Sequence, residues 1–370
     1  MQGDLYIGLM SGTSMDSIDA VLTRINDQDI EFLAHHNTPW PEKLQQNLRK
    51  IAKPGQGNIE QFGTLDHQAA ECFSTAATRL LEAADIQASA VSAIGSHGQT
   101  IRHRPEATTP FTIQIGDPSL IAERTGITVV ADFRRRDMAA GGEGAPLVPA
   151  FHAAIFGNRE EERVILNLGG IANISRLPAG GSVAGCGFDT GPANTLLDYW
   201  TEKHLGAPRD ENGAWAAAGR VDGELLNSLL SDSYFQREPP KSTGPEYFSA
   251  EWLEQRLKRH QEIGAQDIQA TLTALTAASI TEAIRTQSPN CDRVIACGGG
   301  VNNGELMRQL ALRLDPLPVE SSDAHGIHPD HVEAMAFAWL ARQTLHHLPG
   351  NLPSATGAKR AVVLGGIYPA

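Results

Sequence analysis

Small polar residues crowd one short stretch near the N-terminus. Residues 8–19 read Gly-Leu-Met-Ser-Gly-Thr-Ser-Met-Asp-Ser-Ile-Asp, between two β-branched runs that predict strands. Glycine lets a ligand approach the backbone closely, and the amides of such a turn point at anions. The pattern is typical of a phosphate-binding loop, with a plain hairpin as the alternative. The candidate nucleotide-binding residues are Gly12, Thr13, Ser14, Met15, Asp16, Ser17, Ile18 and Asp19.

Two further glycine turns follow predicted strands, at 167–175 and 296–303. The second precedes a helical pattern, whose N-terminus favours negative charge. Each turn alone is a weak signal, but the three together outline a nucleotide site. The sequence has no Walker A lysine motif, no G-x-G-x-x-G after a strand and no kinase catalytic loop, which disfavours those classes. The candidate nucleotide-binding residues in these turns are Gly169, Gly170, Asn173, Gly298, Gly299 and Gly300.

Asp189 is the candidate catalytic residue. It lies in the run Gly-Phe-Asp-Thr-Gly-Pro-Ala-Asn at 187–194, where Pro192 fits the first turn of a helix. One interpretation makes Asp189 or Thr190 the cap of that helix. The other makes Asp189 a general base that takes a proton from water or a sugar hydroxyl, and it would also contact substrate.

Other polar stretches are candidates for substrate binding. His97 and Gln99 lie in a loop whose side chains suit hydrogen bonds to a sugar, and the arginine triplet at 134–136 could hold a carboxylate or phosphate. Solvated surface loops are the alternative for both. Glu333 lies in the first turn of a predicted helix, where it either favours the helix dipole or reaches substrate. The polar loop at 237–247 is either functional or a surface turn.

Composition limits the classes of function. The chain has 370 residues, 41% of them apolar, and a formal net charge of −13. An acidic protein lacks the basic face that nucleic acid or an anionic membrane needs. The four cysteines form no metal or disulfide pattern, and the N-terminus lacks the features of a signal peptide, so we expect a cytoplasmic protein. A histidine group at 325–331 has no cysteine or paired-carboxylate partner, which disfavours a metal site.

Alternating strand and helix patterns predict an α/β fold with more than one domain. A strand–turn–strand pattern occurs once in each half of the chain, which indicates two similar domains facing each other across a cleft. We place an N-terminal domain at 1–132 and a C-terminal domain at 133–347. The segment 348–370 is expected to return to the first domain.

In their order along the chain, these runs resemble the 1,6-anhydro-N-acetylmuramic acid kinase family. The resemblance extends from Tyr6 to Ile367, and its most specific motifs are the N-terminal Gly-Leu-Met-Ser-Gly-Thr-Ser-Met-Asp run and Phe-Asp-Thr-Gly-Pro. It implies two RNase-H-like domains of the actin/hexokinase/Hsp70 type, with ATP in the cleft between them. It also implies a homodimer.

The resemblance further implies a reaction in bacterial cell-wall recycling. The family opens the anhydro bridge of 1,6-anhydro-N-acetylmuramic acid with water and phosphorylates O6 with ATP and Mg²⁺, giving N-acetylmuramic acid 6-phosphate. Asp189 then matches the catalytic base, Glu333 the carboxylate that holds the sugar, and Arg136 is the best single choice for a further substrate contact. The wider superfamily commonly has an acid where this chain has Met10, so its magnesium placement does not carry over to this chain. The magnesium ligands are left unassigned, with Asp16 and Asp19 as candidates.

Two other classes of function remain open. One is another kinase of the same superfamily, acting on an intact sugar or a small carboxylate. The other is a non-catalytic, actin-like nucleotide switch, which the dense polar loops at 97–104 and 132–144 disfavour. A DNA-binding regulator is disfavoured by the acidic charge and by the absence of a helix-turn-helix pattern.

Overall fold

The computed structural model of the chain describes residues 3–12, 15–27, 29–180, 187–239, 241–244 and 247–370. Its strands are β1 (Asp4–Met10), β2 (Ser17–Ile25), β3 (Ile30–Pro39), β4 (Val91–Ser96), β5 (Gln99–Arg104), β6 (Phe111–Ile115), β7 (Val129–Ala131), β8 (Arg163–Leu168), β9 (Ile171–Leu177), β10 (Gly187–Pro192), β11 (Arg293–Cys297), β12 (Val319–Ser321) and β13 (Gly366–Tyr368). Its α-helices are α1 (Glu42–Ala52), α2 (Ile59–Ala84), α3 (Pro118–Thr125), α4 (Phe133–Ala139), α5 (Val148–Phe156), α6 (Asn194–Leu205), α7 (Ala214–Ala217), α8 (Gly223–Leu230), α9 (Ala250–Leu257), α10 (Ala265–Gln287), α11 (Gly304–Leu314), α12 (Val332–Leu345) and α13 (Pro353–Thr356).

The chain divides into two compact units. Unit 1 comprises Met1–Ile155 and His331–Ala370, and unit 2 comprises Phe156–Asp330. The main sheet of unit 1 has the order β13-β7-β4-β1-β2-β3. Strands β1, β2 and β3 form an antiparallel meander, β4 is parallel to β1, and β7 is parallel to β4.

Unit 2 has the same arrangement of strands. Its sheet has the order β10-β9-β8-β11-β12, with β8, β9 and β10 antiparallel and β11 and β12 parallel to β8. Numbered along its own sheet, unit 1 has the order 3-2-1-4-5-6 and unit 2 the order 3-2-1-4-5, so the first five strands of the two sheets share one order. The expected duplication and the two RNase-H-like sheets are therefore confirmed.

Local sequence explains the main helices. Helix α2 begins with a capping box formed by Asn58 and Gln61, and it ends at Asp85 in the left-handed conformation. Helix α12 is apolar around most of its circumference, which is typical of a helix buried on all sides. No helix in the described part of the chain has the length and apolar character needed to cross a membrane.

The unit boundaries differ from the positions expected after residues 132 and 347. Helix α4 belongs to unit 1 because the buried Asp137 on that helix binds side chains of the C-terminal segment. Helix α12 belongs to unit 1 because its backbone packs directly on β1 and β4. The C-terminal segment 348–370 also lies in unit 1.

The packing of α12 depends on two glycines. A Cβ atom at Gly8 would lie 1.8 Å from the carbonyl oxygen of Ala334, and one at Gly95 would lie 1.9 Å from that of Phe337. Both obstructing atoms are backbone, so they cannot rotate away. A side chain at either position must push the helix off the sheet.

We therefore expect Gly8→Ala to lower the free energy of unfolding by about 3 kcal/mol, near the upper end for overpacking a core. Gly63 in α2 is the matched control, because a Cβ there meets no atom within 4 Å. Gly63→Ala should raise the free energy of unfolding by about 0.5–1 kcal/mol, since alanine favours a helix over glycine. Urea denaturation of both variants checks the prediction, and equal stabilities would contradict this account of the packing.

Candidate active site

The loop between β1 and β2 rests on two side chains from other parts of unit 1. The hydroxyl of Ser11 donates to Gln99 Oε1 at 2.7 Å and accepts from Trp40 Nε1 at 3.0 Å. Gln99 Nε2 donates to the carbonyl of Gly12 at 3.3 Å. Gln99 was expected to contact substrate, but in the structure it is fully buried, and both ends of its amide hold the loop.

The other candidate nucleotide-binding residues of this loop lie partly in the core and partly at the surface. The side chains of Met15 and Ile18 are part of the hydrophobic core of unit 1. The hydroxyl of Ser17 accepts a hydrogen bond from a side chain of β3 at 2.7 Å. Thr13 and Ser14 lie outside the described residues. The described part of the loop therefore offers mainly backbone groups to a ligand.

The two acidic residues of the loop have partners on the surface. Asp16 forms an exposed ion pair with Arg49 at 3.2 Å. Asp19 accepts from Asn37 at 2.8 Å and lies 3.2 Å from His35 Nε2. Among the described residues, no group of three or more His, Cys, Asp or Glu side chains is arranged to hold a metal ion. The described part of this loop therefore does not by itself form a metal cage.

His97 is held in one protonation state by Arg134. The guanidinium directs Nη2 and Nε at His97 Nε2, at 2.9 and 3.3 Å, and it donates from Nη1 to the carbonyl of Gly144 at 2.8 Å. Because a guanidinium can only donate, His97 Nε2 must accept, and the ring proton is assigned to Nδ1. Burial, aided by the charge of Arg134, lowers the pKa of His97 to about 3. His97 is therefore a neutral imidazole.

Glu333 belongs to the same group of residues. Burial lowers the pKa of Arg134 to about 10, and the negative charges of Glu333 and Asp137 oppose that shift. Phe337, one turn further along α12, places its ring 4.8 Å from the ring of His97. The structure thus brings His97, Arg134 and Glu333 together in unit 1.

The arginine triplet is divided between the interior and the surface. Arg136 is exposed on α4. Arg134, the first arginine of the triplet, is the one that binds His97. Asp137, next to Arg136, is fully buried and accepts from the backbone N–H of Gly144 at 2.8 Å. It also accepts from Asn351 Nδ2 and Thr356 Oγ1, both at 2.7 Å. Asp137 therefore fixes the glycine-rich loop that follows α4.

Three polar residues lie side by side on the sheet of unit 2. Asn167 on β8 is paired with Asn173 on β9, and Asn173 is paired with Asp189 on β10. Residues directly opposite each other on neighbouring strands point to the same face of a sheet. This register aligns the expected nucleotide residue Asn173 with the expected base, Asp189. The helix-cap interpretation of Asp189 is wrong, because Asp189 lies in a strand and α6 has no side-chain cap.

The loop around residue 242 fixes the carboxylate of Asp189. Oδ2 of Asp189 accepts from the hydroxyl of Ser242 at 3.0 Å and from the backbone N–H of Thr243 at 2.9 Å. Its carbonyl oxygen accepts from the hydroxyl of Tyr234 at 2.7 Å, and its N–H donates to the carbonyl of Lys241 at 3.2 Å. The position and the orientation of the carboxylate are therefore both set by the fold.

Some glycines in the turns of unit 2 are needed for close packing, whereas others leave space in which a ligand could approach the backbone. The carbonyls of Gly169 and Gly170 accept from the first backbone N–H groups of α6. Gly298 has a φ of 82°, and a Cβ there would lie 2.4 Å from Asn167 Oδ1. A Cβ at Gly300 would lie 2.6 Å from Leu168 Cβ, whereas one at Gly299 would meet only Asp330 Oδ1, at 3.8 Å. Gly299 is thus the most open position of its turn.

Sequence reasoning did not single out four residues that shape these sites. Arg134 and Asp137 were within the quoted arginine-rich run, but a run of three arginines does not show which one faces the interior. Ser242 and Thr243 were within the loop at 237–247, whose length and polarity were the available signal. No local pattern connects that loop to Asp189, more than fifty residues earlier in the chain.

Comparisons with known proteins show which family the chain is similar to. The family model described as Anhydro-N-acetylmuramic acid kinase matches residues 4–370. A protein of that name from Xanthomonas axonopodis pv. citri is 51% identical over 373 residues, which cover 99% of this chain and 98% of that protein. One from Coxiella burnetii (strain Dugway 5J108-111) is 48% identical over 368 residues, which cover 100% of this chain and 98% of that protein.

A solved structure shares the fold at much lower identity. It is component A of (R)-2-hydroxyglutaryl-CoA dehydratase from Acidaminococcus fermentans, with a TM-score of 0.50 and 11% identity over 90% of this chain and 96% of that one. At that identity the likeness concerns the fold alone. The family resemblance inferred from the motifs is confirmed: this chain belongs to the anhydro-N-acetylmuramic acid kinase family.

Proposed function

We propose that this protein uses ATP and water to convert 1,6-anhydro-N-acetylmuramic acid into N-acetylmuramic acid 6-phosphate and ADP. Membership of the kinase family supports the substrate class. The observation that carries the proposal is the carboxylate of Asp189, which the hydroxyl of Ser242 and the backbone of Thr243 hold on a strand of unit 2. A fixed carboxylate of this kind suits a general base.

In the proposed reaction, Asp189 takes a proton from a water molecule while the water oxygen bonds to C1 of the sugar. The bond from C1 to the bridging O6 breaks, and its electron pair remains on O6. O6 then attacks the γ-phosphorus of ATP, and ADP leaves. The protein contributes mainly by positioning the reactants and by stabilising negative charge with backbone amides.

The glycine turns are the candidate contacts of ATP. The backbone of 12–19 in unit 1 is a candidate for the phosphates, as are Gly169 and Gly170 in unit 2. Gly298, Gly299 and Gly300 are candidates for the nucleoside. Mg²⁺ would neutralise phosphate charge, and because Asp16 and Asp19 already have partners, we expect phosphate oxygens and water to supply most of its ligands.

The sugar would be bound by the group formed by His97, Arg134 and Glu333. His97 contributes a neutral ring, and Glu333 a carboxylate that can accept from hydroxyls. Arg136, exposed on α4, is available to a carboxylate of the substrate. We further infer a cytoplasmic location, since the phosphoryl donor is a cytoplasmic metabolite. From the family resemblance we infer a homodimer that acts in cell-wall recycling.

The product of the reaction distinguishes this function from its alternatives. The protein is incubated in ¹⁸O-water with ATP, Mg²⁺ and the anhydro sugar, and the product is analysed by mass spectrometry. We expect a 6-phosphorylated sugar with one solvent oxygen at C1. Unlabelled product kept in ¹⁸O-water without enzyme controls for spontaneous exchange. A phosphorylated product that retains the anhydro bridge would indicate another sugar kinase, and ATP binding without any phosphorylated product would indicate a nucleotide switch.

Replacement of Asp189 tests its role as base. Asp189→Asn keeps an oxygen that can accept from Ser242 and Thr243 but cannot take the proton, so we expect kcat to fall about 10²- to 10⁴-fold, with ATP affinity unchanged. Asp292→Asn is the matched control, because Asp292 is exposed and likewise accepts from a backbone N–H. Full turnover by Asp189→Asn would exclude the assignment.

The buried, neutral His97 makes stability depend on pH. In the unfolded chain the imidazole has its ordinary pKa of 6.5, whereas in the folded protein its pKa is about 3. Between these values only the unfolded chain binds the proton, so stability falls as the pH falls below 6.5.

From pH 7 to pH 5, this single group lowers the free energy of unfolding by about 2 kcal/mol. We expect His97→Gln to lose that part of the pH dependence, while His67→Gln, a change at an exposed histidine of α2, keeps it. Denaturation of the three proteins at both pH values measures the difference. The same pH dependence in all three would show that His97 is not held neutral.

A further inference from the structure

Asp232 in unit 2 is a buried carboxylate that the proposed reaction does not use directly. It is only 8% exposed, and it directly precedes the short 3₁₀ turn that contains Tyr234. Burying a carboxylate is costly unless other groups bind it. The groups that bind Asp232 therefore indicate which parts of the fold it connects.

The carboxylate of Asp232 connects three segments of unit 2. Oδ1 accepts from the backbone N–H of Tyr234 at 2.9 Å and from the hydroxyl of Tyr247 at 2.8 Å. Oδ2 accepts from Trp252 Nε1 at 3.0 Å and forms an ion pair with Arg256. The guanidinium of Arg256 lies over the ring of Trp252, at 3.9 Å from its centre. Both of these residues are on α9, so hydrogen bonds and charge fix Asp232 to that helix.

Tyr247 connects Asp232 to the loop that orients Asp189. The backbone N–H of Tyr247 donates to the carbonyl of Gly244 at 3.0 Å. Gly244 directly follows Thr243, whose N–H donates to the carboxylate of Asp189 at 2.9 Å. The hydrogen bond between Tyr247 and Asp232 therefore completes a chain of contacts from α9 to the carboxylate of the proposed base.

Tyr234 connects Asp232 to the backbone of the same residue. Its ring is buried, at 1% exposure, and its hydroxyl donates to the carbonyl of Asp189 at 2.7 Å. One contact of Asp232 thus leads to the carbonyl of Asp189 and the other to its carboxylate. Packing alone does not require a charge at this position, because apolar residues often replace buried ion pairs without loss of stability.

We propose that Asp232 is a positioning residue, which through Tyr247 and Tyr234 holds Asp189 in the orientation that takes the proton from water. The inference rests on the proposed function and deepens it. A general base must lie within hydrogen-bond reach of the proton, and a misplacement of about 1 Å can slow a reaction about 10²-fold. The contribution of Asp232 therefore falls on kcat.

Removal of one hydroxyl tests the proposal. Asp232→Ala leaves Trp252 and Arg256 without this acceptor and can unfold the region, so Tyr247→Phe is the better variant. Tyr247 is 41% exposed, and the change removes the hydroxyl that donates to Asp232. We expect kcat to fall about tenfold, the scale of one lost hydrogen bond, with the KM of ATP and the melting temperature unchanged.

Tyr199→Phe is the matched control. The hydroxyl of Tyr199 also donates to a carboxylate of unit 2, that of Glu254, at 2.9 Å. Tyr199 packs against the hydrophobic cluster that contains Tyr234. Its removal therefore costs the same kind of hydrogen bond in the same region, and we expect kcat to equal that of the wild type.

The Asp189→Asn background distinguishes positioning of the base from a general loss of structure. Turnover that remains in this background does not use the base, so adding Tyr247→Phe should lower kcat less than about twofold. A tenfold fall in this background as well would show that Tyr247 supports the structure in general, which would overturn the proposal. An unchanged kcat of Tyr247→Phe in the wild-type background would overturn it too.

The outcomes also separate this inference from the proposed function. If the wild-type protein forms the 6-phosphorylated sugar and Asp189→Asn is slow, but Tyr247→Phe turns over like the wild type, the inference alone is wrong. If the wild-type protein forms no phosphorylated sugar, the proposed function fails, and the inference fails with it.

Discussion

The backbone of α12 lies directly on β1 and β4, and this contact requires residues 8 and 95 to have no side chain. The contact fixes the ends of both strands relative to the start of the helix. Met10 ends β1 next to the hairpin loop, Ser96 ends β4 next to His97, and Glu333 lies in the first turn of α12. One close approach therefore positions three groups that the proposed reaction uses.

Buried polar residues then set the finer geometry without facing a ligand themselves. In unit 1, Gln99 holds the hairpin loop, and Asp137 holds the loop that ends at Gly144, whose carbonyl binds Arg134. In unit 2, Tyr234 fixes the backbone of Asp189. Satisfied polar networks in a low-dielectric interior are rigid, so each reactive side chain has one defined arrangement.

The sequence predicted the parts of the fold that depend on local pattern. The glycine hairpins, the long helix α2 and the repeated strand arrangement follow from hydrophobic periodicity and turn chemistry. Asp189 was identified by its motif, yet its place in a strand was not, because Pro192 also suits a helix start. That strand depends on pairing with β9 and on the loop at 241–244, both of which are contacts between distant parts of the chain.

The sequence also did not show in which direction individual side chains point. Three successive arginines have the same local signal, but only Arg134 faces inward, because α4 presents that position to His97 and the next ones to solvent. Gln99 likewise looked accessible in a polar loop, whereas alternation along β5 buries it.

A chain with a net charge of −13 must still bind two anionic substrates if it acts as proposed. The structure indicates how the conflict is resolved. Phosphates can be bound by backbone amides of glycine turns, which supply donors without adding positively charged side chains. The half-buried Arg134, balanced by Glu333 and Asp137, organises His97 without making unit 1 a general anion site. Selectivity then rests on the placement of neutral donors and acceptors rather than on the total charge of the protein, and such placement discriminates strongly because an unmatched buried polar group is costly.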